Sequence, residues 1–126
     1  MKSTVEITAS NFKETIEKDG IILIDWWAPW CGPCRAFAPT YEAVASSNPD
    51  ITFAKVNTED EQELAASFEI RSIPTLMIMR DRVLVFSEAG ALPKPALEEL
   101  VKQVRALDMD KVRAEIADSK QEASNG

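Results

Sequence analysis

The residues best suited to chemistry in this 126-residue chain are its only two cysteines, Cys31 and Cys34. They are separated by Gly32 and Pro33, and the chain contains no histidine. A cysteine thiolate can attack a disulfide, and a second thiol three positions away can then attack the mixed disulfide. A structural zinc site needs four ligands, usually cysteine or histidine, so a single chain cannot build one here. The spacing therefore predicts a redox dithiol.

A buried strand followed by a helix is predicted to hold this dithiol. Residues 21–24 are all isoleucine or leucine, and Pro33 suits the first turn of a helix because its missing N–H is not needed there. At that helix start, Cys31 would lie beside free backbone N–H groups and the positive end of the helix dipole. Cys34 would lie one turn later and deeper. We therefore expect Cys31 to be the nucleophile and Cys34 the resolving thiol.

Asp25 is a lone carboxylate at the end of this apolar run. Burial raises the pKa of a carboxyl group, so Asp25 could hold a proton near neutral pH. It is therefore the candidate base for the proton of Cys34. The alternative is an ordinary strand-end residue without a role in the chemistry.

Strand and helix patterns alternate along the chain, and the order indicates an α/β sandwich. Strands are predicted near residues 4–8, 21–26, 51–56, 76–79 and 83–86, and helices over residues 12–16, 33–47, 61–68 and 95–104. We expect one domain at residues 1–107 and an extension at residues 108–126. The extension should contain a short helix capped by Asp108 or Asp110 and a disordered polar tail from Ser119.

The sequence Trp-Cys-Gly-Pro-Cys at residues 30–34 resembles the active site of the thioredoxin family. Further motifs follow in the family's order, and the resemblance covers residues 5–107. It implies the thioredoxin fold, a mixed central sheet flanked by helices, here with an extra C-terminal helix. Asp25 matches the family's aspartate, and Lys55 matches the lysine that partners this carboxylate. The alternative for Lys55 is a solvated lysine on a strand.

The resemblance also implies a surface for binding client proteins. Ile73-Pro74-Thr75 is similar to the family's cis-proline loop, in which the main chain of Ile73 would pair with an extended client segment. An apolar rim around Cys31 would be formed by Trp30, Pro74 and residues 89–91, which include Gly90 and Ala91.

The chain departs from the family pattern in two places. The hairpin turn is Arg80-Asp81-Arg82, where the family usually has Asn-Gly or Asp-Gly, so its geometry cannot be predicted. The segment after Leu107 has no counterpart in the short family members, and the resemblance implies nothing about it.

The function implied by the resemblance is reduction of protein disulfides in clients, with electrons from an NADPH-dependent thioredoxin reductase. No cofactor is expected on this chain, since NADPH and FAD belong to the reductase. Gly32 and Pro33 are the reducing family's choice, whereas oxidases and isomerases typically carry a histidine there. Two alternatives remain: a protein-disulfide oxidase or isomerase, and a thioredoxin-fold binding or assembly module that works through its C-terminal helix.

The composition argues against other classes of protein. The net charge of -7 argues against a nucleic-acid binder, which would need a basic face, and disfavours docking to anionic membranes. No apolar run is long enough to span a membrane, and the first residues lack the apolar core of a signal peptide. We therefore expect a cytoplasmic protein, a monomer, that binds neither nucleic acid nor membranes.

Overall fold

The computed structural model describes residues 3–125, with side chains described through residue 119. Within these residues five strands form one mixed sheet, and helices flank it, which confirms the predicted α/β fold with an additional C-terminal helix. In chain order the elements are β1 (Thr4–Glu6), α1 (Phe12–Ile16), β2 (Ile21–Trp27), α2 (Gly32–Ser47), β3 (Thr52–Asn57), α3 (Gln62–Ser67), β4 (Thr75–Arg80), β5 (Val83–Ala89), α4 (Lys94–Arg105) and α5 (Met109–Asn125).

β2 lies at the centre of the sheet, whose strand order is β1-β3-β2-β4-β5. β1 and β2 run parallel to β3, whereas β4 runs antiparallel to β2 and β5. Every residue from Ile22 to Trp26 is buried, as expected for a strand that is covered on both faces. The apolar run therefore carries Asp25 into the interior.

The side chains of β2 alternate between the two faces of the sheet. Ile22, Ile24 and Trp26 belong to the core that α1 and α3 cover. Leu23 belongs to the opposite core, which α2 and α4 cover. Asp25 and Trp27 follow Leu23 at steps of two, so they point toward the side of α2.

α2 packs its apolar side against the sheet. Phe37, Tyr41 and Val44 are buried there. The hydroxyl of Tyr41 donates a hydrogen bond to the carbonyl oxygen of Ala54 at 2.7 Å, so this buried polar group is satisfied. Pro39 lies inside the helix on its exposed side, where it removes one main-chain hydrogen bond.

The turn between β4 and β5 consists of Asp81 and Arg82, whose φ angles are 49° and 70°. Two successive residues with positive φ suit the twist of a two-residue hairpin. The Asp81 carboxylate accepts the N–H of Gly20 at 2.8 Å, and the N–H of Asp81 donates to the Gly20 carbonyl at 2.8 Å. These contacts to a distant loop support a turn that contains no glycine.

α5 is capped by Asp108, whose carboxylate accepts the N–H groups of Asp110 at 3.1 Å and Lys111 at 3.2 Å. The helix continues to Asn125, and the disordered tail expected from Ser119 stays a prediction. Lysine, glutamine, glutamate and alanine in this stretch favour a helix, and a capped helix can propagate through them. Gly126 lies outside the described residues, and the division of the chain after residue 107 stays a prediction.

None of the described helices is long and apolar enough to cross a membrane.

Candidate active site

A tight turn after β2 brings Cys31 to the start of α2. The N–H of Cys31 donates to the carbonyl of Ala28 at 3.2 Å, and Cys31 is the N-cap residue of the helix. Its sulfur accepts the N–H of Cys34 at 3.2 Å. A side-chain acceptor at this position satisfies an N–H that the helix leaves unpaired. The same N–H and the helix dipole would stabilise a negative charge on the sulfur.

Cys31 and Cys34 form a disulfide, with their Cα atoms 5.2 Å apart. The exposed fractions of the two residues are 5% and 2%, whereas Gly32 and Pro33 between them are exposed. The Cys31 sulfur lies 3.7 Å from the carbonyl oxygen of Ile73. The disulfide therefore lies just beneath a surface formed by the helix start and the loop before β4.

Asp25 is the one buried carboxylate among the described residues. It is 1% exposed, and neither of its carboxylate oxygens has a hydrogen-bond partner in the described part of the chain. Burial raises the pKa of Asp25 from 3.8 to about 7, and the positive charge of Lys55 partly opposes this rise. Asp25 can therefore take up and release a proton near neutral pH.

Lys55 lies beside Asp25 because β2 and β3 are parallel and pair these two residues. The Lys55 ammonium nitrogen is 4.5 Å from the centre of the Trp27 ring, in a cation–π contact. Trp27 in turn packs against Cys31 and Cys34. These contacts form a continuous cluster on the α2 side of the sheet, from Asp25 through Lys55 and Trp27 to the disulfide.

A groove of about 850 Å³ opens beside this cluster, between α2 and the edge formed by β1 and β3. Lys55 and Trp27 line it, together with Arg35 and Glu42 of α2. The groove gives water access to the side chain of Lys55, which lies next to Asp25.

The loop before β4 brings three of the predicted residues together. The Ile73–Pro74 peptide bond is cis, as the family resemblance implies. The carbonyl of Pro74 accepts the N–H of Gly90 at 2.8 Å, and Gly90 has a φ of 112°, which favours glycine. Ala91 is exposed. Pro74 and Gly90 therefore lie next to Ile73, whose carbonyl faces Cys31.

Trp30 is exposed over 66% of its surface, and its indole N–H donates to the carboxylate of Glu59. Thr58 supports the same turn, because its N–H and its hydroxyl donate to the Trp27 carbonyl at 2.8 and 3.1 Å. Sequence reasoning missed Thr58 and Glu59. Their position was an available signal, since they follow β3 at the edge of the sheet where its parallel neighbour β2 ends.

A dithiol at a helix N-terminus, beside a cis-proline loop and a buried carboxyl group, defines a thiol–disulfide oxidoreductase. The family model described as Thioredoxin matches residues 3–103. The chain belongs to the thioredoxin family.

Several known proteins are similar to this chain. "Putative thioredoxin 2" of Streptomyces coelicolor is 52% identical over 123 residues, which cover 98% of this chain and 92% of the relative. "Thioredoxin 1" of a Nostoc species is 40% identical over 105 residues, which cover 82% of this chain and 98% of the relative. Because the Streptomyces match covers 98% of the chain, it extends into α5, beyond the residues that the family model matches.

A similar solved chain comes from a structural study of thiol resolution in yeast mitochondrial 1-Cys peroxiredoxin through the glutathione and thioredoxin systems. It superposes with a TM-score of 0.72 at 26% identity, and the match covers 80% of this chain and 95% of that chain. Family membership and the Cys31–Cys34 pair together identify a protein-disulfide oxidoreductase that works by dithiol–disulfide exchange.

Proposed function

We propose that this protein reduces disulfides in client proteins and is itself reduced by a thioredoxin reductase. The hydrogen bond from the Cys34 N–H to the Cys31 sulfur carries the proposal, because it stabilises a thiolate where a client can meet it. Gly32 and Pro33 between the cysteines support the reducing direction, since they are the reducing family's choice. NADPH and FAD would act within the reductase, and this chain would bind no cofactor.

The first step is attack by the Cys31 thiolate on one sulfur of the client disulfide. A bond forms between the Cys31 sulfur and the client, and the other client sulfur leaves as a thiolate. The surface around Cys31 would bind the client as an extended segment along Ile73, between Trp30 on one side and Pro74, Gly90 and Ala91 on the other.

The second step is attack by Cys34 on the Cys31 sulfur of this mixed disulfide. The second client sulfur leaves, the Cys31–Cys34 disulfide forms, and two electrons have passed to the client. Cys34 must first lose its proton in a buried place, and we assign its acceptance to Asp25. A pKa of about 7 supports this role, and Lys55 beside Asp25 keeps that pKa from rising further.

The cellular setting belongs to the same proposal. A dithiol that donates electrons needs a compartment in which it is kept reduced, and a chain with only two cysteines has no other disulfide to lose there. We therefore place the protein in the cytoplasm, as a monomer that transports electrons between the reductase and its clients.

Insulin reduction driven by dithiothreitol tests the proposal, with the wild type compared with Cys31→Ser and Cys34→Ser. We expect rapid precipitation of insulin with the wild type and the uncatalysed rate with both variants. Cys34→Ser should accumulate as a mixed disulfide through Cys31, because the resolving thiol is missing. A second assay follows oxidation of NADPH when the protein and a thioredoxin reductase are mixed with insulin. An inactive wild type with an intact dithiol would refute general reductase activity.

A further inference from the structure

The indole of Trp30 is hydrogen-bonded to a loop other than the one that contains Trp30. Trp30 lies in the turn that delivers Cys31, and its indole N–H donates to the Glu59 carboxylate in the loop between β3 and α3. A hydrogen bond from a neutral donor to a carboxylate is stronger than one between neutral groups. Without this bond, a side chain that is 66% exposed would have few contacts to hold its ring in one position.

The loop that carries Glu59 is itself held in place. The Glu59 N–H donates to the side-chain oxygen of Asn57 at 3.0 Å, and the Gln62 side chain donates to the Glu59 carbonyl at 3.3 Å. Thr58 makes two hydrogen bonds to the carbonyl of Trp27. The Glu59 carboxylate is therefore presented from a supported backbone, at a defined place beside the dithiol.

We propose that Glu59 is a positioning residue for Trp30 and that it favours clients with a basic side chain next to the reactive disulfide. The inference rests on the proposed client surface, in which Trp30 borders the segment that reaches Cys31. A client residue beside the cysteine would then lie near the Glu59 carboxylate. A lysine or arginine there gains an ionic partner, whereas a glutamate is repelled.

The two contributions of Glu59 can be separated by substitution. Glu59→Gln keeps an oxygen that can accept the indole N–H but removes the charge. Glu59→Ala removes both. Asp60→Asn is the matched control, because it removes a neighbouring exposed carboxylate that makes no bond to the indole in the described structure.

The experiment uses the pre-reduced full-length protein and two fluorogenic disulfide peptides that differ only in a lysine or a glutamate beside the cysteine. The second-order rate constant for each peptide is measured in a single turnover, at about 10 mM and at about 0.5 M salt. We expect the wild type to prefer the lysine peptide at low salt. Glu59→Gln should reduce this preference about two- to fivefold, and high salt should have the same effect.

The position of the Trp30 ring is followed through its indole N–H signal in a ¹H–¹⁵N spectrum. The signal is assigned by its loss in Trp30→Phe. The signal should shift less in Glu59→Gln, which keeps an acceptor for the indole N–H, than in Glu59→Ala. Relative to Glu59→Gln, Glu59→Ala should slow both peptides by the same factor. The inference is overturned if Asp60→Asn reduces the preference for the lysine peptide as much as Glu59→Gln does. It is also overturned if Glu59→Ala leaves both the indole signal and the rate constants for the two peptides unchanged. A wild type that reduces neither peptide would instead refute the proposed function.

Discussion

The two ends of β2 differ in how their polar side chains are bonded: at the carboxyl end two buried side chains lack partners in the described part of the chain, whereas near the amino end two arginines make several hydrogen bonds each. Neither oxygen of Asp25 nor the indole N–H of Trp27 has a hydrogen-bond partner among the described residues. At the other end, Arg80 of β4 donates to the carbonyls of Val104 and Leu107, at 2.7 Å each.

Arg105 shows the same pattern as Arg80, because it binds both carboxylate oxygens of Asp50, at 2.7 and 2.9 Å. The two ends differ because only the carboxyl end must hold a carboxyl group that exchanges a proton. A carboxyl group that accepts a proton near neutral pH cannot also be held ionised by close cationic partners. The amino end carries no such requirement, so its charges can be paired. Stability is given up beside the dithiol, where a buried acid must titrate, and nothing demands the same at the other end of the sheet.

The largest effect is expected for Asp25→Asn, which removes the buried acid. Folded Asp25 keeps its proton up to about pH 7, whereas the unfolded chain loses it near pH 3.8. The wild type should therefore lose stability as the pH rises from about 4 to 7, and the variant should not. Between pH 3 and 8 the advantage of the variant in unfolding free energy should grow by on the order of 4 kcal/mol, measured by urea denaturation of the oxidised proteins.

Asp25→Asn should also prolong the mixed disulfide formed through Cys31, because asparagine cannot accept the proton of Cys34. Asp50→Asn is the control at the other end of the strand, and it should leave the stability change between pH 4 and 7 intact. Equal pH profiles for Asp25→Asn and the wild type would show that Asp25 titrates normally, and the comparison of the two ends would fail.

The next effect concerns Arg80→Met, at the paired end. Arg80 satisfies carbonyls at the end of α4, so its loss should lower the free energy of unfolding by about 2 kcal/mol. Insulin reduction should be unchanged, since the site lies at the other end of the sheet. Arg82→Met is the matched control: its 3.4 Å ion pair with Asp19 is exposed, so the loss should be below about 0.5 kcal/mol. Equal losses for both variants would contradict the structural role of Arg80.

A smaller effect is expected for Asp108→Ala at the start of α5. Loss of the cap should cost about 1 kcal/mol and raise local opening of the helix about fivefold. Hydrogen exchange of the α5 amides measures this directly. Asp110→Ala, in the same turn but without a capping bond, should change exchange by much less. The reverse order of the two variants would show that the cap is wrongly assigned.

The smallest effect is expected at Asp50, whose pKa is lowered, whereas the pKa of Asp25 is raised. The hydrogen bond from Arg105 lowers the pKa of Asp50 from 3.8 to about 2. Its contribution to stability is therefore present above about pH 4 and is lost as the pH falls toward 2. A carboxyl-carbon NMR titration should return the pKa of Asp50 toward its ordinary value in Arg105→Met. Asn48→Ala, which removes another partner of Arg105, should leave that pKa low.

Much of the fold could be predicted because its signals are local. The apolar run before Asp25 and the proline after Cys31 predicted the central strand and the helix that follows. The residues of α4 show a core face at helical spacing, and Leu97, Val101 and Val104 are buried. The disordered tail expected from Ser119 stays a prediction, although helix propensity after the Asp108 cap carries α5 to Asn125.

The candidate site could be predicted only in part. The cysteine spacing identified the chemistry, and the family resemblance supplied Lys55 and the cis-proline loop. The supporting roles of Thr58 and Glu59 were missed, because their partners, Trp27 and Trp30, lie about 30 positions earlier in the chain. The place of Thr58 and Glu59 after β3, where its parallel neighbour β2 ends, indicates that they lie near the site but does not show which side chains they contact.

The sequence by itself determined the dithiol, the strand and helix that hold it, and the class of chemistry, since each depends on residues within a few positions of one another. Only the tertiary structure decided that Asp25 has no hydrogen-bond partner among the described residues, and that Asp81 and Arg82 form a turn without glycine. It also gave the strand register that places Lys55 beside Asp25, a pairing that only the resemblance had implied. These properties depend on burial, strand register and contacts between distant loops. They exist only once the separate elements are packed together.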